Sequence, residues 1–286
     1  MVIWLATLAC LTALNAEPAQ AQIKNDIDHP QSLLNALNDV RSRGCAGNTN
    51  PTTALRHDSR LSAAATRVAS GVKLAEALKS SAYRSPRTTL IELSGYTSAQ
   101  TTALGAAKHS CNTLMDVEFK DLGFYARGTQ TWIVLAVPFS PPDSADADQI
   151  EARVLSLVNQ ARSQPRMCGS EALPAAPPVR LNARLRAASA AHADEMARLN
   201  YFSHSGQDGR HVSERANRAG YPWRAIGENI ASGQMNADLA VQGWLKSPSH
   251  CANLMMPNYT EMGLAFAVNP QSDGGVYWVQ VFGLQK

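Results

Sequence analysis

The chain has 286 residues, 45% of them hydrophobic and 17% charged, with a formal net charge of +3 at neutral pH. Those figures suit a globular protein large enough for two cores of ordinary domain size. A charge so close to balance, with no dense Lys/Arg run, is too small to indicate a nucleic-acid or membrane-surface partner, and no nucleic-acid partner is expected.

In chain order, residues 1–21 read as an export signal. An apolar run from Val2 to Leu14, with no basic segment before it, leads to Ala19-Gln20-Ala21, a small-x-small cleavage site that leaves Gln22 as the new N-terminus. Nothing downstream approaches the roughly 20 apolar residues of a membrane span. The longest candidate, Trp132 to Phe139, has the length of a strand and contains Pro138. The mature protein is therefore expected to be soluble and exported, to the periplasm or beyond it.

From there the chain says the same thing twice. Residues 22–140 form a first repeat, the Pro-bearing stretch 141–147 a linker, and 148–286 a second repeat. Each begins with a helix-like phrase, Leu34-Asn35-Ala36-Leu37-Asn38-Asp39-Val40-Arg41 and Leu155-Ser156-Leu157-Val158-Asn159-Gln160-Ala161-Arg162, followed by Cys45 and Cys168 respectively. In the first repeat the periodicity predicts helices near 31–43 and 59–80, then strands near 119–126 and 131–138. The second repeat reads as helices near 148–163, 182–199, 211–219 and 236–246, then strands near 261–268 and 276–283. Helices mixed with a small antiparallel sheet predict layered α+β domains.

Cys10 leaves with the signal, and four cysteines remain, two in each repeat. Of the three possible pairings, the duplication favours Cys45–Cys111 and Cys168–Cys251, because each domain then closes its own loop. Export makes the oxidation plausible, and each bridge would stabilise its domain by about 4–5 kcal/mol on the chain-entropy model.

The second copy carries polar groups that the first lacks. On the helix near 182–199, capped by Asn182, residues Leu185, Ala188, His192, Met196 and Leu199 recur at helical spacing, so His192 lies on the inward stripe. Registering Leu61 on Leu185 places Val68 opposite His192. Registering Cys111 on Cys251 places Ser110 opposite His250. Ser247-Pro248-Ser249-His250 reads as a helix start, where the positive end of the dipole favours a neutral imidazole. Glu228 stands in Gly227-Glu228-Asn229-Ile230, a stretch that the first repeat has mostly lost. His204 follows the His192 helix in a short loop, and Asp208 and Arg210 read as turn formers.

The ordered series His192 with Asp194-Glu195-Met196-Ala197, Tyr201-Phe202-Ser203-His204, Gly220-Tyr221, Gly227-Glu228-Asn229-Ile230-Ala231, Trp244, Ser247-Pro248-Ser249-His250, Asn253-Leu254 and Tyr277-Trp278-Val279-Gln280 resembles a bacterial CAP domain, also called SCP or PR-1-like. The first repeat resembles the family through its frame only, as a degenerate CAP-like domain. The resemblance implies an α-β-α sandwich in each repeat around a cavity lined by His and acidic residues. His192, Glu228 and His250 match cavity positions, and His204 falls near a place where plant and animal members have a second glutamate. Ser249 and Cys251 depart from the glycine and basic residue common in bacterial relatives. The family binds divalent metals such as zinc there, and some members bind lipids in separate grooves.

Neutral imidazoles and a carboxylate suit zinc or another divalent ion, with water completing an open site. No helical His-Glu-x-x-His metalloprotease signature and no Gly-x-Ser-x-Gly nucleophile elbow is present. The sequence thus predicts an exported protein holding a metal, or a small or lipid ligand, in the second domain. Two other readings stand beside it. One is a hydrolase of envelope or peptide substrates with Glu228 as general base; the other is a non-catalytic interaction module.

Overall fold

The computed structural model describes residues 30–48 and 50–286, and the export signal read at 1–21 lies outside them. The chain divides into two compact units, one built from residues up to Ala77 with Thr89–Leu135, the other from Leu78–Thr88 with Ala136–Lys286. The fold is mixed α and β.

The first half runs α1 (Pro30–Arg43), β1 (Arg56–His57), α2 (Ser59–Ala69), α3 (Leu74–Ser80), β2 (Arg87–Ser94), α4 (Ala99–Leu114), β3 (Asp121–Arg127) and β4 (Gln130–Val137). Its four strands form one sheet in the order β1-β3-β4-β2, with β1 parallel to β3. After a 3-10 turn at Ser144–Asp146 come α5 (Ala147–Arg162), the small β5 (Arg166–Cys168) and β6 (Glu171–Leu173) ribbon, and β7 (Arg180–Leu181). Then follow α6 (Ala183–Leu199), α7 (Val212–Arg218), β8 (Trp223–Ser232), α8 (Ala237–Lys246), α9 (Pro248–Met255), β9 (Glu261–Val268) and β10 (Val276–Gln285). The second sheet has the order β7-β9-β10-β8, with β7 parallel to β9, the same arrangement as the first.

The repeated phrase earns its conservation of pattern through two polar residues. Arg41 and Arg162 are fully buried, each at the end of its helix. Arg162 donates to the carbonyls of Pro177, Leu254, Met256 and Tyr259. Arg41 does the same with Thr53, Leu114, Asp116 and Phe119. Three residues earlier, Asn38 exchanges two hydrogen bonds with the backbone of Leu55, and Asn159 does so with Val179. The disulfides Cys45–Cys111 and Cys168–Cys251 then close loops of 66 and 83 residues, the pairing that duplication favours.

In the second unit, strand alternation puts helices on both faces of the sheet. Val276, Trp278 and Phe282 of β10 pack with Val158, Trp244 and Leu254 from α5, α8 and α9. Tyr277, Val279 and Val281 pack with Leu185, Met196 and Ala216 from α6 and α7. Each fully buried large side chain of this kind contributes about 1.5–3 kcal/mol.

Several elements differ from the sequence expectation. The single helix read at 59–80 is two, because the chain turns through Gly71 at φ +92° between α2 and α3. The segment around Gly227-Glu228 is not a short connector but part of the ten-residue strand β8. Nor has the first half lost its counterpart, since β2 takes the same edge place in its sheet. These strands escape a period-two reading because their polar and glycine positions interrupt the apolar alternation.

Candidate functional site

The site is built around β8, which pairs only with β10 and so forms an edge of the second sheet. Successive strand residues point to opposite faces. Glu228, paired with Val281, therefore faces α6 and α7, while Asn229, paired with Gln280, faces α9. The Glu228 side chain is only 2% exposed, yet both oxygens are engaged. Oε1 accepts from His204 Nδ1 at 2.8 Å, and Oε2 accepts from Arg215 Nη2 at 2.6 Å.

Arg215, on the inward side of α7, does more than neutralise that carboxylate. It also donates to the carbonyls of Arg210 at 2.7 Å and His204 at 3.1 Å, so one guanidinium holds both the glutamate and the loop bearing the histidine. With Nδ1 donating to Glu228, a neutral His204 presents Nε2 as its lone-pair nitrogen. Its side chain is 53% exposed, so that nitrogen is within reach of solutes. The sequence reading placed a helix here but gave Arg215 no role. The signal was available: Val212, Arg215, Ala216 and Ala219 recur at helical spacing, which puts the arginine on the inward stripe.

His192 is fully buried on α6, whose start Asn182 caps as expected. Its Nε2 donates to the carbonyl of Ser203 at 2.8 Å, so this ring fastens the loop that presents His204. Nδ1 has no hydrogen-bond partner among the described residues and lies 3.7 Å from Glu195 Oε2. Burial, aided by the charge of Arg215, pushes the His192 pKa below its ordinary value, against weaker opposing pulls from Glu228, Ser203 and Glu195. Glu195 itself accepts from the Gln207 backbone at 3.0 Å, pinning the far end of the same loop. Asp208 and Arg210 are ion-paired within the turn, which closes through the Gly206 N–H to Arg210 carbonyl bond at 2.9 Å.

His250 arrives from the other face of the sheet, in the first turn of α9 behind Pro248. Ser247 occupies the N-cap position, but its hydroxyl makes no cap bond. The His250 pKa is also lowered, first by burial and then by the nearby His204.

A pH prediction follows with a definite sign. Both histidines hold a proton less readily folded than unfolded, so the unfolded chain takes up more protons as the pH falls through about 6.5. The stability they contribute is present above that value and is lost downward through their depressed folded pKa values. The urea midpoint of the full-length protein is expected to drop between pH 7.5 and 5.5, and His192→Gln should flatten that slope. A variant slope equal to the parent's would remove His192 as the cause.

The first unit shows what the fold needs without this chemistry. Gly95 and Gly233 both have positive φ, 88° and 90°, and donate across to Thr129 and Val276 respectively. Aligned on that pair, Leu90 stands opposite Glu228 and Ile91 opposite Asn229. Val68 and Ser110 stand opposite His192 and His250, so apolar or small residues satisfy all four places.

The structure thus brings Glu228, His204 and Arg215 into direct contact, places His250 within electrostatic reach of His204, and sets His192 behind them as a loop anchor. No group of three or more His, Cys, Asp or Glu among the described residues is arranged to hold a metal ion. Each Glu228 oxygen accepts one of these hydrogen bonds, and the imidazoles beside it are those of His204 and His250. A hollow of about 970 Å³ in the same unit lies elsewhere, lined by Pro141, Asp143, Asp194, Arg198 and Phe266, so size does not single out the site.

Residues 155–282 match the family profile described as Cysteine-rich secretory protein family, CAP. The chain is 27% identical over 143 residues to the Bacillus subtilis protein YkwD, covering 50% of this chain and 49% of that one. It is 33% identical over 73 residues to the Bacillus subtilis membrane protein YlbC, covering 26% and 21%. Among solved structures, an extracellular SCP-domain protein from Bacillus anthracis aligns with a TM-score of 0.42 and 18% identity over 62% of each chain. A cysteine-rich secretory protein from Staphylococcus aureus aligns with a TM-score of 0.38 and 11% identity over 56% of this chain and 57% of that one.

Proposed function

Residues 155–282 are a CAP domain of the cysteine-rich secretory protein family, and from that premise we propose that this domain, in an exported protein, holds a divalent metal ion such as zinc through His204 and His250. The carrying observation is the 2.8 Å bond from His204 Nδ1 to Glu228. Metal-binding histidines typically donate their second ring N–H to a carboxylate, which fixes the tautomer and aims the other nitrogen. Glu228 then supports a ligand rather than being one, and Arg215 supports Glu228. The ion would supply a Lewis-acidic centre with positions left for water or for a donor atom of a small or lipid ligand.

Binding is favoured over hydrolysis by the same geometry. A general base needs an oxygen within reach of water, and the Glu228 side chain is only 2% exposed with an ordered donor on each oxygen. We further propose that residues 22–140 are a degenerate CAP-like domain, joined to the CAP domain at 148–286 through 141–147, each an α-β-α sandwich. Its matching strand order and its buried Arg41 support that origin. Export is supported by the two disulfides, and no helix among the described residues is long and apolar enough to cross a membrane.

Zinc titration by calorimetry on full-length, chelator-stripped protein tests the reading. His204→Ala and His250→Ala should each abolish measurable binding, and Glu228→Gln should weaken it by about 10–100-fold. Unchanged affinity in His204→Ala would overturn the proposal.

A further inference from the structure

Asn229 is fully buried, on the face of β8 opposite Glu228, and both polar atoms of its amide are committed. Nδ2 donates to the His250 carbonyl at 3.2 Å and to Gln280 Oε1 at 3.2 Å. Oδ1 accepts from Asn253 Nδ2 at 2.9 Å, and Asn253 Oδ1 in turn accepts from the Tyr259 hydroxyl at 3.1 Å. Gln280, also fully buried, turns its Nε2 toward Met262 Sδ at 3.9 Å, which leaves its oxygen for Asn229.

His250 and Asn253 are three residues apart on α9 and therefore share a face. One side chain thus grips the helix at two points about a turn apart, which sets its rotation about its own axis. Gly227 lets the network close against the strand. A Cβ there would lie 2.2 Å from the Tyr259 hydroxyl and 2.5 Å from Asn253 Oδ1.

The first unit lacks both halves of this arrangement. Ile91, opposite Asn229, is an apolar residue only 5% exposed. Ser110, opposite His250, interrupts its helix at φ −140° and ψ 35°. The sheet does without the clasp where the histidine is missing.

We propose that Asn229 is a positioning residue for the second imidazole: by clasping α9 at His250 and Asn253 it sets where the His250 ring stands relative to His204. Adjacent residues of one edge strand then align the two rings, Glu228 from one face and Asn229 from the other. The inference rests on the two-imidazole reading above for its purpose, and on the hydrogen bonds alone for its geometry.

The test uses full-length Asn229→Ala, Asn253→Ala and Asn229→Asp. The last keeps size and the acceptor but loses the donor to His250. In metal-free protein, the imidazole carbon-proton NMR signal of His250 should shift and broaden in all three variants, with that of His192 unmoved. Zinc affinity should fall about tenfold or more in each, as it does when other groups that orient a metal ligand are lost. If Asn229→Ala does not fold, Asn253→Ala and Asn229→Asp decide the matter. A folded variant whose His250 signal is unmoved overturns the inference. If zinc leaves the His204 and His250 signals of the parent protein unperturbed, the metal reading fails instead, and the metal-free spectra still decide the role of Asn229.

Discussion

Replacing Arg162 with Met in the full-length chain is expected to cost about 3–5 kcal/mol of folding free energy, because four carbonyls lose their charged donor. For a unit of this size that corresponds to a fall of about 10 °C in Tm. The guanidinium is fully buried and has no carboxylate partner among the described residues. Its charge is balanced by four carbonyl oxygens, two of which, from Leu254 and Met256, stand at the C-terminal end of α9, where the helix dipole favours a cation. Burial pulls its pKa below the usual arginine value. A methionine would fill part of the volume but leave those carbonyls dry and unpaired, each at a cost of about 1–3 kcal/mol before relaxation. Lysine should rescue little, because one ammonium cannot reproduce the fork. Urea denaturation of Arg162→Met, Arg162→Lys and Arg41→Met measures this. Midpoints within error of the parent would show that the arginines do not hold the frame.

That role was half legible in the sequence. The repeated Leu-x-x-[Leu/Val]-Asn-x-x-Arg phrase marks these positions as part of the frame common to both halves. What the spacing could not show is that three of the four Arg162 partners lie 92 to 97 residues away in the chain. The disulfide pairing was readable because duplication reduces three choices to one that closes each loop within its own half. The edge strand β8 was not, since Glu228, Asn229 and Gly227 interrupt the apolar pattern for reasons that belong to the site, and in β2 the polar Arg87-Thr88-Thr89 and Glu92 do the same.

The candidate site was legible as a set of residues but not as a set of roles. Comparing the halves singled out His192, Glu228 and His250, because Val68 and Ser110 show that the scaffold accepts other side chains. Helical spacing could say that His192 faces inward. It could not say that its ring fastens the Ser203 carbonyl, leaving the exposed His204 to meet solutes. Nor could sequence distance reveal that Arg215 and Glu228 would meet at 2.6 Å, since that depends on α7 lying against β8. The candidate site depends on how one edge strand gathers groups from both of its faces, a property of topology more than of motif.

Gly263→Ala is expected to destabilise the protein by about 3 kcal/mol or more, at the upper end of the overpacking range. A Cβ on Gly263 would lie 2.0 Å from the Arg186 amide nitrogen and 2.2 Å from the Leu185 carbonyl carbon. Both are backbone atoms of α6, so no side chain can swing aside, and the helix itself must lift from β9. That helix carries His192, and lifting it stretches the bond to Ser203 that holds the His204 loop. Stability and metal affinity should therefore fall together in this variant. Gly123→Ala repeats the collision in the first unit, 2.1 Å from the Ser62 amide nitrogen, and should lower stability while leaving the second unit's site intact. Gly243→Ala supplies the contrast. Its Cβ meets nothing nearer than Gln234 Nε2 at 3.8 Å, on a helix, where alanine is the better former by about 1 kcal/mol. Urea midpoints of the three variants, measured side by side, should rank Gly243→Ala at or above the parent and the other two well below it. Equal midpoints for Gly263→Ala and Gly243→Ala would mean that α6 does not need the bare backbone of β9 to seat itself.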